Sequence, residues 1–437
     1  MVNALMIGAG EYTTGCVFTA SGPASDKPAG VVAISFIDMR RRGKLDKLVL
    51  ADACGTKMPE IRKTMAQKIG AYTDMDLTME TFPADDVAFD PQAYKQAILR
   101  MDKGDVVTIF TPDDTHFQIA MDCIAAGLHV LIAKPAVKVL SHHLELMEAA
   151  KKHNVLCAIE YHKRFDPIYT DAKDRIATLG GFSFFTATMT QAKTQLDTFR
   201  AWAGKSSDIN YYLNSHHIDI HCWSCLKFAR PTRIIGMACR GIAEKRLEKD
   251  YPIEDTITLM TQWENKADKS IGTALYTASW ACPKADCHTQ QYFHYMGHKG
   301  EVRADQCRRG FNWSTDDGGF AALNPLYMKY TPSGTGHFAG QLGYGYRSLE
   351  VFVEAAAAIN AGKSSPEQCT AEGVLATIDS TLAVTAILEA GRMSLDAGGL
   401  PVDLEYDASG DVPVGMHVVD GTPAEPSGLG KRKQPAA

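Results

Sequence analysis

The chain has no apolar run near the roughly 20 residues that a membrane helix needs, so a spanning helix is not expected. It has no basic surplus. Its 45 Lys and Arg face 51 Asp and Glu, a net charge of −6, which argues against nucleic acid as the main partner. Its 11 cysteines show no paired spacing beyond Cys222-Trp-Ser-Cys225. A redox or zinc reading of that lone CxxC wants a second pair, so the cysteines are expected to be reduced core thiols, with no metal site. No internal repeat is visible. Met1 to Leu5 runs directly into a strand without a basic leader region, and the expected location is the cytoplasm. What is present is ordinary for a globular chain: 437 residues, 45% hydrophobic and 22% charged, enough for two domains with substantial cores.

Residues 1–160 alternate strand and helix patterns. Apolar strands are predicted at Ala4–Ile7, Leu48–Ala51, Val106–Phe110, His129–Ala133 and Val155–Ile159. Between them lie helical patterns over Val31–Arg42, a segment capped by Asp114 and stopped by Gly127, and a segment capped by Ser141. Such alternation predicts a doubly wound parallel sheet. From about residue 161 to 404, half-exposed strands such as Phe182–Thr188, Thr256–Trp263 and Thr273–Trp280 predict an open, mostly antiparallel sheet. Helices are expected around Arg347–Ala361 and Ala371–Met393. Residues 405–437 are rich in Gly, Pro and Ser and are expected to form a flexible tail. The run Gly430 to Lys433 is read as a solvated charge cluster.

Gly8-Ala9-Gly10 follows the first strand. The first glycine allows a tight turn, and the second lets a pyrophosphate approach the backbone. A third glycine is missing, because Thr13 stands in its place. The position still predicts a Rossmann dinucleotide-binding domain over residues 1–160. Asp52 ends the second strand and suits a ribose 2′-hydroxyl, which favours NAD(H). It lies far from the glycines because Ser21–Gly30 reads as an inserted loop. Thr56, Lys57 and Arg62 can instead hold a 2′-phosphate, or the last two can be exposed helix-end charges. The sequence reading leans to NADP(H) over NAD(H). The expected cofactor contacts are Gly8, Gly10, Glu11, Tyr12, Asp52, Thr56, Lys57, Thr111, Pro112, His116 and Lys134.

Lys134-Pro135 ends the run His129–Ala133, where a lysine faces the crevice at the carboxyl edge of a parallel sheet. An ammonium there can donate a proton to a carbonyl or stabilise an alkoxide. Burial lowers the pKa of such a group and eases donation.

Thr111-Pro112 with His116, Lys134-Pro135, and Tyr161-His-Lys-Arg-Phe-Asp-Pro167 follow one another at strand ends. Together they resemble the Gfo/Idh/MocA oxidoreductases over roughly residues 1–400. The resemblance implies an N-terminal Rossmann domain and a C-terminal α/β domain whose open sheet covers the active site and often mediates oligomers, here a dimer or tetramer. Members usually read Glu-Lys-Pro, where this chain has Ala133. They carry an aspartate four residues before a catalytic histidine and another three after it. Tyr212-Leu-Asn-Ser-His216-His-Ile-Asp219 has that spacing, so His216 falls on the catalytic histidine. Tyr212 replaces the upstream aspartate and Asn214 a usual glycine. Tyr212 can supply a hydroxyl or be an aromatic core residue, and His217 is a rival for the histidine role.

A narrower likeness, carried by Tyr211–His217, Gln291–Gly297 and Gly343–Tyr346, is to fungal hexuronate reductases, notably those of D-galacturonate. It implies reduction of D-galacturonate to L-galactonate, a small sugar acid being the partner. A carboxylate substrate wants cationic or amide donors, and Lys163, Asn214, His217 and Arg200 are the candidates. Arg164 is expected to brace the domain junction. The alternatives are a dehydrogenase of a neutral sugar or inositol, and a non-catalytic dinucleotide-binding regulator.

Overall fold

Six segments form the first sheet: β1 (Val2–Ile7), β2 (Leu45–Ala51), β3 (Glu80–Phe82), β4 (Val106–Ile109), β5 (His129–Ile132) and β6 (Cys157–Ile159). The computed structural model describes residues 1–17, 27–317, 319–322 and 324–419. All neighbouring pairs in this sheet are parallel, in the order β3-β2-β1-β4-β5-β6. Every residue of β4, β5 and β6 is buried, because helices cover both faces of a parallel sheet. The order reverses between β1 and β4, so a crevice opens at their carboxyl ends.

The second sheet uses β7 (Phe182–Ala192), β8 (Ala229–Arg240), β9 (Glu254–Asn265), β10 (Ile271–Cys282), β11 (Thr289–Gly297) and β12 (Gly300–Asp305). A small hairpin of β13 (Asn312–Thr315) and β14 (Gly319–Ala322) follows, then β15 (Val402–Tyr406) and β16 (Pro413–Val418). The eight strands run β12-β11-β7-β10-β9-β8-β15-β16, and only β10 and β7 are parallel. Alternate residues of β9 and β10 are buried, so one face packs on the helices and the other is open. The fold is thus an α/β Rossmann domain joined to an α/β domain with an open, mostly antiparallel sheet.

Four local expectations need correction. The helix expected over Ala371–Met393 is two helices, Pro366–Glu372 and Leu382–Asp396. Gly373 ends the first with φ 65°, and the chain then runs extended beside β6, where Ile159 N donates to Ala376 O at 2.7 Å and Ile378 N to Cys157 O at 2.9 Å. Pairing with a sheet edge outcompetes helix propensity here. Asp114 caps no helix and pairs with Lys138. Ser141 does not cap either: the next helix starts at Leu140, whose N–H donates to Glu389 at 2.5 Å, a tertiary carboxylate doing the work of a local cap. The tail expected from residue 405 instead completes β15 and builds β16; its part from 420 to 437 lies outside the described residues.

The helix Tyr344–Asn360 packs on the first domain. Its Tyr346, Leu349, Phe352 and Val353 share a core with Phe36, Ile37 and Met39, and Tyr346 Oη donates to the buried Asp38 at 2.7 Å. Residues far beyond 160 therefore complete the first domain's core. No helix among the described residues is long and apolar enough to cross a membrane.

Candidate active site

The turn after β1 is built around Gly8, which has φ 98° and stands so close to β4 that a Cβ would lie 2.2 Å from the Phe110 carbonyl oxygen. No side chain fits there. Gly10 is different: nothing lies within 4 Å of its Cβ position, which borders open space. The helix that should follow is interrupted. One turn, Glu11–Thr14, ends at Gly15 (φ 74°), and the helix resumes at Val32. Val31 N donates to Tyr12 O at 2.7 Å, so the two pieces stack across an excursion. This explains the long spacing from Gly10 to Asp52; of the inserted loop expected at Ser21–Gly30, residues 21–26 lie outside the described residues.

A cavity of about 1070 Å³ opens above this turn, between the two domains. Gly10, Glu11, Tyr12, Thr111 and Pro112 line it from the first domain. Lys134, Lys163, Tyr212 and His216 line its deeper part. The bare glycine turn at the sheet's switch point and the open space over Gly10 fit a dinucleotide pyrophosphate.

Lys134 follows β5, in a cis Lys134-Pro135 peptide. Its Nζ donates to the Tyr212 carbonyl oxygen and lies 4.0 Å from the centre of the Tyr212 ring. Tyr212 sits in a wide π-helical turn, Asn210–Asn214, that opens the helix Ser215–Cys225. Its ring also packs on Phe199 and Trp202. The lysine thus meets a carbonyl and an aromatic face where the family pattern offers a carboxylate. Burial pulls its pKa down to about 8; Asp113 and Glu160 pull it back up, and Lys27 adds to the fall.

His216 is buried, and its Nδ1 has no hydrogen-bond partner among the described residues. Burial, then the nearby Lys134 and Lys163, hold its pKa well below the usual value. It is therefore a neutral imidazole with a nitrogen to offer. Lys163 is buried and donates to Gln291 and, at 2.6 Å, to Gln306. Burial pushes its pKa down to about 7, against the pull of Asp166.

Other expected residues lie elsewhere. His116 is buried behind the crevice. One ring nitrogen faces Pro135 O at 3.0 Å and the other Thr111 O at 2.9 Å, so it ties the loop after β4 to the loop after β5. Asp52 braces the glycine turn, accepting from Ala9 N at 3.1 Å and Cys54 N at 3.0 Å. Thr56 and Lys57 sit beyond it in a short 3-10 turn, and Arg62 is engaged by Asp85. Asn214 is buried and donates to Asn210 at 3.0 Å. His217 packs on Phe293 and faces the Tyr169 hydroxyl at 3.3 Å, and its pKa is pushed down to about 3 by burial. Arg200 is half-exposed and donates to Leu247 O. None of these last three lines the cavity. Arg164 forms a doubly hydrogen-bonded buried pair with Asp219, at 2.6 and 2.9 Å, across the junction.

Asp113, Glu160 and His162 are among the polar cavity residues that the sequence reading missed. Glu160 is buried and accepts from Tyr12 Oη at 3.2 Å and Ser348 Oγ at 3.0 Å, while His162 Nδ1 lies 2.9 Å from its other oxygen. The signal was their position: Asp113 directly follows Thr111-Pro112, and Glu160 directly precedes Tyr161. Among the described residues no group of three or more His, Cys, Asp or Glu side chains could hold a metal, and Cys222 and Cys225 are buried on one helix.

Residues 2–161 match the Gfo/Idh/MocA family model, described as an oxidoreductase family with an NAD-binding Rossmann fold. The uncharacterized oxidoreductase YdgJ of Escherichia coli is 32% identical over 118 residues, 26% of this chain and 34% of that protein. The scyllo-inositol 2-dehydrogenase (NAD(+)) of Bacillus subtilis is 35% identical over 72 residues, 16% of this chain and 21% of that protein. The matches thus span about a third or less of these relatives' length. Among solved structures, GenD2 from gentamicin A biosynthesis, in complex with NAD, superposes with a TM-score of 0.63 at 19% identity, covering 93% of this chain and 97% of that one.

Proposed function

Proceeding from a chain whose residues 2–161 match the Gfo/Idh/MocA oxidoreductase model and whose two domains share the fold of GenD2, we propose that it is an NAD(P)-dependent oxidoreductase of a small sugar acid. The observation that carries this reading is the juxtaposition of Lys134 and a neutral His216 in one cavity above the glycine turn. The cofactor, when bound, supplies the hydride. Lys134, held by the Tyr212 carbonyl and ring, gives its proton to the substrate oxygen. His216 accepts or donates a hydrogen bond at a sugar hydroxyl and so sets the face presented. The walls of the interdomain cavity limit water and strengthen these contacts.

For the substrate we favour a hexuronate aldehyde, D-galacturonate being reduced to L-galactonate. Support for a carboxylate substrate comes from Lys163, which lines the same cavity and is a cation when protonated. For the cofactor we favour NAD(H), reversing the preference drawn from sequence. A carboxylate at Asp52 repels a 2′-phosphate, and Arg62 is already paired with Asp85.

Purified protein is mixed with NADH or NADPH and D-galacturonate, and cofactor oxidation is followed. Turnover is expected with NADH, and Lys163→Met should raise the KM for the uronate at least 10-fold while sparing neutral aldoses. A second reading, dehydrogenation of a cyclitol or neutral sugar, is favoured by the inositol dehydrogenase relative and by the amide partners Lys163 already has. Turnover of inositols with NAD+ and none of any uronate would replace the first reading by the second. Dinucleotide binding without turnover of either class would make the chain a regulator.

A further inference from the structure

The place where the family pattern has an aspartate is Tyr212, and what it offers Lys134 is a backbone carbonyl and a ring. Glu11, Asp113, Glu160 and Asp286 nevertheless line the same cavity; Asp286 is paired with Arg308, and the two whose charges act on Lys134 are Asp113, after β4, and Glu160, after β6. They are not equivalent. Both oxygens of Glu160 are engaged, by Tyr12 and Ser348 on one side and His162 on the other. One oxygen of Asp113, Oδ2, is buried without a hydrogen-bond partner among the described residues. Leaving a buried acceptor unsatisfied costs about 1–3 kcal/mol, more when charged, so it is a feature that calls for a charge nearby.

The loop that carries Asp113 is also held in register with the loop that carries Lys134. His116, three residues after Asp113, spans from Thr111 O to Pro135 O. This brace links the two strand ends through one buried ring.

We propose that Asp113 is the positioning carboxylate of Lys134, supplied by the Rossmann domain in place of the one the second domain lacks, and that it keeps the lysine in its ammonium form. The inference rests on the hydride-transfer reading above for its catalytic meaning, though not for the pairing itself. The groups facing Lys134 are Asp113, Glu160, Lys27, Lys163 and His216, with Tyr212 against it. Burial raises the pKa of Asp113, and the groups that face it, His116, Ser207, Lys134 and Lys138, pull it back towards the carboxylate. Burial and Lys27 disfavour the ammonium while Asp113 and Glu160 favour it, so removing Asp113 should lower the share of Lys134 that holds a proton. After Lys134 has given its proton to the substrate oxygen, the same carboxylate favours its reprotonation from solvent.

The test reads Lys134 directly. Competitive acetylation of the full-length protein across a pH series, with mass spectrometry of the Lys134 peptide, gives the lysine's midpoint without any substrate. The wild type is expected near pH 8, and Asp113→Asn about 1 unit lower, the size an opposite charge typically contributes. Asp113→Glu should restore much of the shift. For carbonyl reduction the alkaline limb of kcat/KM should move down with it, kcat should fall at least 10-fold, and the Kd for NADH should stay within about 2-fold. A folded Asp113→Asn protein whose Lys134 midpoint equals the wild type's overturns the proposal. If Asp113→Asn does not fold, Asp113→Ser is read in the same way. A shifted midpoint in a protein that neither reduces a carbonyl with NADH nor oxidises an alcohol with NAD+ keeps the pairing and discards the hydride-transfer reading.

Discussion

Replacing Lys134 with Met separates chemistry from stability. The side chain keeps its length and loses its charge, so packing beside Tyr212 is largely retained. If Lys134 is the proton donor, kcat should fall by about 10²–10⁴, the usual worth of a positioned acid, while the cofactor Kd changes little. The stability effect runs the other way. Burial lowers the folded-state pKa from 10.5 to about 8. Between those values the unfolded chain holds a proton that the folded chain has released, so this group makes stability rise with pH across that window and contributes no slope below it. At about 1.4 kcal/mol per pH unit the rise is at most about 3 kcal/mol, less whatever screening the open cavity provides. Lys134→Met lacks this term. Its stability relative to the wild type should therefore shift towards the wild type by up to about 3 kcal/mol between pH 7 and pH 10, on top of a constant offset from leaving Asp113 without that cation. Urea unfolding at both pH values reads the double difference, in which groups that do not feel Lys134 cancel, while Lys163, whose pKa Lys134 lowers, adds a smaller term of its own. The wild-type reduction rate should fall above pH 8, and the oxidation rate should rise there, because one direction needs the ammonium and the other the free amine. A Lys134→Met enzyme with more than a tenth of wild-type kcat, or a stability difference that is flat with pH, would refute the reasoning.

The two glycines of the turn should respond differently. Gly8→Ala meets the Phe110 carbonyl at a positive φ and should cost about 2 kcal/mol or more by thermal melting. Gly10→Ala, with nothing near its Cβ, should leave the melting temperature unchanged and weaken NADH binding at least 10-fold by fluorescence titration. Arg164→Met leaves Asp219 buried without its partner and should lose about 3–5 kcal/mol in denaturant unfolding. Asp52→Ala should raise the kcat/KM ratio of NADPH over NADH; an unchanged ratio would remove Asp52 from cofactor choice.

The Rossmann half was readable because its signals are local. β1, β4, β5 and β6 are short apolar runs, and Gly8 stands where only glycine fits. Lys134, Lys163 and His216 were found because they sit at strand ends or at a spacing within one helix. The misses have a common cause. Asn214 ends the π-helical turn two residues before His216 and His217 directly follows it, and rotation about the helix axis turns them into the core rather than the cavity. Leu140 is capped by Glu389, 249 residues away, which no local capping pattern contains. Residues 376–378 leave a helical pattern to pair with β6.

Sequence by itself determined the two-domain α/β organisation, the glycine turn and the lysine at the end of β5, since periodicity, glycine sterics and strand ends are properties of neighbouring residues. Tertiary structure alone decided which groups surround that lysine. Asp113, Glu160 and the Tyr212–His216 stretch come from three separate segments that only folding brings to one cavity. The pKa of Lys134, and the identity of the carboxylate beside it, are therefore set by folding and not by the order of residues along the chain.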